Sequence, residues 1–152
     1  MTTATQESAA SGRRVDQLLA HYAQSHTHPG NELIHFIAIP LIILSLVGLM
    51  YVGHPLLAYA FIAASMVYYA RLSLVFFVTM LAGSALMLAL VYAMGGQRLV
   101  LCVGIFVVAW IFQFIGHKLE GKKPSFFEDI QYLWVGPLFV LSRLFEKLGI
   151  RW

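Results

Sequence analysis

Two short polar clusters hold the side chains of this chain that are best suited to binding a metal. They are Tyr22-x3-His26-x4-Asn31-x3-His35 and Gln113-x3-His117-x2-Glu120. Imidazole is largely neutral near pH 7 and offers a nitrogen lone pair to first-row transition metals. Convergence of His26, His35 and His117 would create a metal site, although no two of them have the spacing of a recognised H-x3-H or H-E-x2-H pair. The clusters therefore indicate metal or proton chemistry without naming a substrate.

Spacing within the clusters places several of these side chains on common helix faces. Asn31 and His35 are four residues apart, as are Gln113 and His117, so each pair can share a face. Glu120 follows His117 by three residues and joins that face. His35 lies at the start of the first apolar segment and His117 at the end of the fourth, where a polar ring must face protein or water. The functional interpretation is therefore favoured for these two histidines.

Most of the other polar side chains also have an ordinary structural explanation. Asn31 could be the N-cap of the first apolar helix, and Gln113 could join two helices by a hydrogen bond. Glu120 could pair with a neighbouring lysine, and His26 could be solvated in a turn. An ordinary structural position is favoured for three histidines, in an amphipathic helix, a turn and a loop: His21, His28 and His54.

The composition excludes an ordinary soluble domain. The chain has 152 residues, of which 60% are hydrophobic and 11% charged, and its mean hydropathy is +0.78. Soluble domains carry about 25% charged residues. We therefore predict an all-α integral membrane protein, with one membrane domain over residues 14–152 and a disordered N-terminal tail over residues 1–13. No cleavable secretory signal is predicted, and Cys102 is expected to pack rather than react.

Four apolar stretches are candidates for transmembrane helices: about 34–52, 55–70, 72–94 and 99–116. A helix needs about 20 residues to cross the hydrocarbon core, so the second stretch is marginal and requires Arg71 to extend toward the headgroups. Small residues in the third stretch are expected to let the helices pack closely: Ala82, Gly83, Ala85 and Ala89. We predict about four transmembrane helices.

The distribution of basic residues predicts the orientation in the membrane. If all four stretches cross, every Lys and Arg except Arg98 lies on one side, and the positive-inside rule places both termini in the cytoplasm. Three crossings would separate the termini and divide the basic residues more evenly, so the charge pattern favours four. The two polar clusters then meet at the cytoplasmic face of the membrane.

Amphipathic segments flank the apolar stretches and are predicted to lie in the membrane interface, over about residues 14–25, 126–134 and 137–148. In the first, apolar positions recur at i, i+3, i+4 and i+7: Val15, Leu18, Leu19 and Tyr22. The second is expected to start at a capping box, Ser125-x-x-Glu128, and to be broken by Gly136-Pro137. The third is expected to end at Gly149.

At these residues the chain resembles a known family, the Mpo-type membrane proteins, named for metabolism of phytosphingosine to odd-numbered fatty acids. One matching motif is Tyr22-x3-His26-x4-Asn31-x2-Ile34-His35 followed by Ile39-Pro40. The other is Gln113-x2-Gly116-His117-x2-Glu120-x3-Pro124, with Gly136-Pro137 and Glu146 further on. The resemblance covers about Leu18 to Leu148, and its specificity comes from the combination of both motifs with the four-helix plan.

What the resemblance implies is an Fe(II)-dependent dioxygenase that uses molecular oxygen to shorten a 2-hydroxy fatty acid by one carbon, in lipid α-oxidation. The implied Fe2+ ligands are His26, His35 and His117. Glu120 is implied to belong to the catalytic set, and the residues implied to support the ligands are Tyr22, Asn31 and Gln113. Whether Glu120 or His28 binds the metal directly stays open, as does the choice between iron and zinc, since imidazole suits both.

The implied partners are the 2-hydroxy fatty acid, molecular oxygen and membrane lipid. No nucleic-acid partner is expected, while the substrate chain length, the number of metal ions and the oligomeric state stay open. The fungal members act at the endoplasmic reticulum, so that membrane is implied for a fungal source and the inner membrane for a bacterial one.

Two other functions remain open from the sequence. A non-catalytic lipid-binding or scaffold membrane protein could use its histidines as interfacial anchors. A small transporter could use them as a proton relay, but the predicted transmembrane helices hold almost no charge and show no evident inverted repeat.

Overall fold

The computed structural model describes residues 13–121 and 132–152, which form helices and short connections without any strand. The helices within these ranges are α1 (Arg14–Ala23), α2 (Pro29–Gly53), α3 (Pro55–Ala70), α4 (Leu74–Ala93), α5 (Arg98–Leu119) and α6 (Val135–Leu148), with a single 3-10 turn at Gly95–Gln97 before α5. The all-α prediction is therefore confirmed. The predicted tail, the capping box and most of the predicted helix 126–134 lie outside the described residues.

Three segments are long and apolar enough to cross a membrane, namely Pro29–Gly53, Leu74–Ala93 and Gly95–Leu119, and α3 is a shorter apolar helix. Large apolar side chains on these helices face outward, including Leu74, Tyr92 and Val100, each more than 70% exposed. An exposed apolar surface of this extent suits contact with lipid. The protein is thus a helical membrane protein, and α3 is the short helix that the sequence marks as marginal.

Local capping explains where the first long helix begins. The His28 side chain accepts a hydrogen bond from the Gly30 amide at 3.1 Å, and Pro29 occupies the first helical position, where its missing N–H costs nothing. The helix therefore starts five residues before the predicted position 34. The interpretation of Asn31 as the N-cap was wrong, because Asn31 lies inside the first turn. His54 and Pro55 repeat the same device at the start of α3.

The closest helix contacts are made by α2 and α5. A Cβ atom added to Gly116 would lie 2.4 Å from Asn31 Oδ1, and one added to Gly48 would lie 2.2 Å from Cys102 Sγ. Both distances are far below van der Waals contact, so glycine is what permits these approaches. The prediction that Cys102 packs is confirmed, but the prediction of close packing around Gly83 was wrong, because nothing lies within 4 Å of a Cβ there.

The two amphipathic helices pack together at one end of the bundle. Val15 and Leu19 of α1 share a buried core with Leu138 and Phe139 of α6, together with Tyr69 of α3. This contact buries the apolar faces that the periodicity predicts for both helices.

The boundaries of α6 differ slightly from those predicted. The helix starts at Val135, so Gly136 and Pro137 lie in its first turn rather than ahead of it, where proline is tolerated because no intrahelical N–H bond is required. Gly149 ends the helix with φ of 68°, in the left-handed region that favours glycine, as predicted.

Candidate metal centre

Three histidine rings from distant parts of the chain lie against one another at the end of the bundle. The ring centroids of His26 and His35 are 4.4 Å apart, those of His35 and His117 are 5.3 Å apart, and those of His26 and His117 are 6.3 Å apart. All three side chains are buried. We call these three residues the histidine cluster.

These rings lie close together because the start of α2 lies beside the end of α5. His35 lies in the second turn of α2, and His117 lies in the last turn of α5. His26 follows α1 in the connection that leads into α2. The chain passes along the bundle in α2, α3, α4 and α5, so an even number of passes returns it to its starting end.

Backbone contacts fix the orientation of two of the rings. The Nδ1 atom of His26 lies 2.9 Å from the Tyr22 carbonyl oxygen, and the Nδ1 atom of His35 lies 2.9 Å from the Asn31 carbonyl oxygen. A carbonyl can only accept, so each Nδ1 carries the proton and donates it. In the neutral ring the lone pair is then on Nε2, and the Nε2 atoms of all three histidines are buried. This is the arrangement in which proteins commonly present histidine to a metal.

Glu120 holds the connection between α1 and α2 against the end of α5. One carboxylate oxygen accepts from the Thr27 amide at 2.8 Å and from the Thr27 hydroxyl. The other accepts from the His28 amide at 2.9 Å and from Asn31 Nδ2 at 3.0 Å. Both oxygens are thus used on the segment that joins His26 to His35. We call this set of four hydrogen bonds the Glu120 clamp.

The clamp favours the ionised form of Glu120. Burial by itself would raise the pKa of the carboxyl group, but the hydrogen bonds from Thr27, His28 and Asn31 outweigh it and lower the pKa from 4.5 to about 2. Glu120 is therefore a carboxylate at neutral pH, and its charge is stabilised by donors on the histidine-bearing connection.

Tyr22 and Gln113 lie beside the histidine cluster and line a small cavity of about 40 Å³. The Tyr22 ring stacks on His26 with the centroids 4.2 Å apart and the planes 10° apart. Gln113 lies one turn before His117 and is buried. Within the described residues its Oε1 atom is buried without a hydrogen-bond partner, which makes it available to a ligand that can donate.

The remaining histidines lie elsewhere. His21 is exposed, and its Nε2 lies 2.9 Å from the Tyr132 hydroxyl. His28 and His54 are exposed and act as N-caps of α2 and α3. The expectation of ordinary structural positions for these three residues is confirmed.

Sequence reasoning did not identify two side chains that contribute to the site. Thr27 donates twice to Glu120, but nothing in its sequence context distinguishes it from any other turn residue. Phe139 packs on the Tyr22 ring, with centroids 5.0 Å apart, and its ring centroid lies 5.8 Å from that of His26. The sequence shows only that Phe139 is an apolar residue in an amphipathic segment. Which residues it contacts depends on how α6 docks on α1.

The histidine cluster holds three imidazoles, a donor type that transition-metal ions accept. Within residues 13–121 and 132–152, no group of three or more His, Cys, Asp or Glu side chains lies close enough together to hold a metal ion as it stands. The ring spacing fits a shared ion, however, since two imidazoles bound through nitrogens about 2.1 Å from one metal have centroids about 4.5 to 6.4 Å apart. The observed spacing of 4.4 to 6.3 Å falls close to this range.

Comparison with known proteins decides the family. The family model described as "2-hydroxy-palmitic acid dioxygenase Mpo1-like" matches residues 13–148. The chain belongs to the Mpo1-like family. The matched range contains the whole histidine cluster and the Glu120 clamp, and it confirms the family that the two motifs resemble.

One curated relative of this Mpo1-like chain is the 2-hydroxy-palmitic acid dioxygenase MPO1 of Saccharomyces cerevisiae. The two are 31% identical over 141 residues, which cover 86% of this chain and 79% of the yeast protein. No solved structure matches the chain.

Proposed function

We propose that this protein is a membrane dioxygenase that shortens 2-hydroxy fatty acids by one carbon, with a single Fe2+ held by His26, His35 and His117. The observation that carries the proposal is the burial of three imidazoles together, two of them fixed by backbone carbonyls so that Nε2 presents its lone pair. Membership in the Mpo1-like family, with a yeast relative named as a 2-hydroxy-palmitic acid dioxygenase, supports the same reaction class.

The proposed reaction balances without an added reductant. The bond between C1 and C2 of the 2-hydroxy acid breaks, C1 leaves as carbon dioxide, and C2 becomes the carboxyl carbon of the shortened acid. These two carbons together lose four electrons, which is the number required to reduce one molecule of oxygen. The products are therefore one shortened fatty acid, one carbon dioxide and one water. Bound Fe2+ would supply the activation of oxygen that this reaction needs.

The protein's own groups would orient the substrate. An all-imidazole set leaves coordination positions for the hydroxyl and carboxylate oxygens of a 2-hydroxy acid and for oxygen. Gln113 Oε1, buried beside the cluster, is placed to accept a hydrogen bond from the substrate hydroxyl. Glu120 is a positioning residue in this scheme, because both of its oxygens hold the connection that carries His26.

We further propose that the protein is a multi-pass membrane protein with both termini in the cytoplasm. The meeting of the start of α2 with the end of α5 supports an even number of crossings, and the basic residues on that side support the orientation. The histidine cluster would then lie at the cytoplasmic face.

Metal content tests the proposed site directly. The protein is purified without oxygen in mild detergent, and bound metals are measured by elemental analysis for the wild type and for His35→Ala and His117→Ala. We expect close to one iron per wild-type chain and loss of at least about 90% of it in both variants, since each removes one of three ligands. His21→Ala, which changes an exposed histidine outside the cluster, is the matched control and is expected to keep its iron.

Oxygen uptake tests the reaction. Iron-loaded protein is expected to consume one oxygen per molecule of 2-hydroxyhexadecanoic acid and to release pentadecanoic acid and carbon dioxide. Two outcomes would contradict the proposal: wild-type protein that binds no iron after anaerobic reconstitution, and wild-type protein that binds iron but consumes no oxygen. Zinc in place of iron would indicate hydrolytic or structural chemistry instead.

A non-catalytic lipid-binding protein is the second candidate function. The specific observation that favours it is a large apolar cavity between the helices, with a volume of about 410 Å³. In that case fatty acid binding would persist in His35→Ala and His117→Ala with unchanged affinity, and no variant or wild-type preparation would consume oxygen.

A further inference from the structure

A second, much larger cavity lies among α2, α3, α4 and α6. Its volume is about 410 Å³, which falls in the usual range for ligand-binding pockets. The walls include apolar side chains from all four helices: Ile43, Val47, Phe61, Met87 and Val140. We call this space the acyl cavity.

In the part of the chain that the structure describes, three of the four side-chain hydroxyl groups in the wall of the acyl cavity, those of Ser65, Tyr69 and Thr79 but not that of Ser84, are hydrogen-bonded to the protein itself. Ser65 donates to the Phe61 carbonyl at 2.8 Å and accepts from Trp134 Nε1 at 2.9 Å. The Tyr69 hydroxyl donates to the Trp134 carbonyl at 3.0 Å, and the Thr79 hydroxyl donates to a carbonyl of its own helix at 2.8 Å. A polar occupant would lose its hydrogen bonds to water with few replacements, so the cavity suits hydrocarbon.

The acyl cavity shares two wall residues with the small cavity that Tyr22 and Gln113 line beside the histidine cluster. Ile39 and Leu133 line both spaces, while Tyr22 and Gln113 line only the small one. Ile39 lies one helical turn after His35 on α2. A ligand with a polar end at the cluster would therefore direct its other end past Ile39 and Leu133.

The distance from the histidine cluster to the far wall of the acyl cavity matches the length of one fatty acyl chain. From His35 the α2 helix continues for three turns to Val47, which lines the cavity, a rise of about 18 Å at about 1.5 Å per residue. One acyl chain spans about half of the bilayer hydrocarbon core, or about 15 Å.

From these observations we infer that the acyl cavity holds the hydrocarbon chain of the substrate, with the 2-hydroxy carboxylate at the histidine cluster and the methyl end near Val47 and Met87. The room left open at Gly83 then sets the longest chain that fits. This inference rests on the proposed function for the identity of the substrate's polar end. The placement of the acyl chain rests on the cavity alone.

Gly83 offers a precise way to fill the cavity without disturbing the helices. It lines the cavity wall, and a Cβ atom added there would meet nothing within 4 Å. A leucine side chain at this position would enter the open space that the acyl chain needs. Gly104 of α5 is a matched control, since its Cβ position is equally open but it is exposed and does not line the cavity.

The experiment compares wild type, Gly83→Leu and Gly104→Leu in lipid nanodiscs. Binding of tritiated hexadecanoic acid is measured, with unlabelled saturated acids of 8 to 16 carbons as competitors and empty nanodiscs as the blank. Hexadecanoic acid lacks the 2-hydroxyl group, so this measurement does not depend on turnover. A leucine displaces about four methylene groups, so Gly83→Leu is expected to weaken binding of the 16-carbon acid by about 100-fold. Binding of the 8- and 10-carbon acids should change less than threefold, and Gly104→Leu should resemble wild type.

The same three proteins, iron-loaded, are then compared for oxygen uptake with 2-hydroxy acids of matched lengths. A shift of preference toward shorter acids in Gly83→Leu alone would support the inference. An unchanged length profile in Gly83→Leu, or an equal loss in Gly104→Leu, would overturn it. If Gly83→Leu loses binding of the longer acids while the iron-loaded wild type consumes no oxygen, the acyl cavity is supported and the dioxygenase is rejected.

Discussion

Glu120 shows how a single residue organises the connection that carries the candidate site. Its carboxylate accepts four hydrogen bonds from Thr27, His28 and Asn31, and these residues flank His26 or precede His35 by one turn. Charge-assisted hydrogen bonds are stronger than neutral ones. The connection between α1 and α2 is therefore held by one ionised group at the end of α5.

Replacing Glu120 is expected to lower stability and to flatten its dependence on pH. Glu120→Gln should lower the free energy of unfolding at pH 7 by about 2 kcal/mol, because hydrogen bonds to a charged group are each worth about 1.5 to 3 kcal/mol and the amide keeps only some of them. In the wild type the folded-state pKa of about 2 lies below the ordinary 4.5, so the stabilisation is present above pH 4.5 and is lost as pH falls toward 2.

The measurement is thermal unfolding in detergent, followed by circular dichroism between pH 5 and pH 2.5. The wild type should lose more stability across this window than Glu120→Gln. Glu146→Gln, which changes an exposed carboxylate on α6, is the control and should parallel the wild type. Parallel curves for wild type and Glu120→Gln would contradict the account of the clamp.

At the scale of the elements, the pairing of α2 with α5 brings His35 and His117 together. This pairing depends on two glycines, Gly48 and Gly116, at which any side chain would collide with the opposite helix. Gly116 directly precedes His117 and packs against Asn31, which lies one turn before His35. The close approach of α2 and α5 at Gly116 therefore also sets the distance between the His35 and His117 rings.

Gly116→Ala is expected to separate α2 from α5 and to weaken the metal site. The added Cβ would approach Asn31 Oδ1 to 2.4 Å, and overpacking of this kind costs about 1 to 3 kcal/mol. We expect a lower unfolding midpoint together with loss of more than half of the bound iron. Gly104→Ala places the same methyl group on the same helix in open space, and it should be neutral or slightly stabilising. Full iron content in Gly116→Ala would show that ring spacing does not depend on this contact.

At the scale of the whole molecule, the histidine cluster requires that the chain return to its starting side. The start of α2 and the end of α5 meet there, although α3 is shorter than the three other apolar helices. A short helix can cross where the bilayer thins or where flanking side chains extend to the headgroups. The docking of α1 and α6 on this same end completes the enclosure of the cluster.

Cysteine accessibility tests the proposed orientation. In a Cys102→Ala background, Gly96→Cys lies in the connection before α5, and Arg151→Cys lies after α6 at the C-terminus. Both positions are exposed. In intact cells or sealed vesicles of known orientation, a membrane-impermeant thiol reagent should label Gly96→Cys from the non-cytoplasmic side and Arg151→Cys only after permeabilisation. Labelling of both positions from one side would contradict four crossings.

The sequence by itself determined the class of the fold and most helix positions, since these depend on local properties. Runs of apolar residues and their length define the membrane helices. The predicted boundaries 55–70 match α3, and the start of α1 at residue 14 and the end of α6 at residue 148 also match, whereas the other predicted ends of the described helices differ by one to five residues. The largest error, at the start of α2, arose because His28 and Pro29 form a cap that was read as part of a turn. The two polar motifs also indicated the family.

Tertiary structure decided which of these residues meet. Hydrophobic pattern and turn signals do not distinguish His26 from His28, and only the family motif singled out His26. The structure shows that His26 contacts the ring of His35, whereas His28 caps α2. The role of Glu120 depends on the position of Thr27, more than ninety residues earlier in the chain. The glycines at which helices touch, and the open space beside Gly83, follow from the angle and separation of the helix axes. These quantities are set by the packing of the whole bundle, so no stretch of sequence carries them alone.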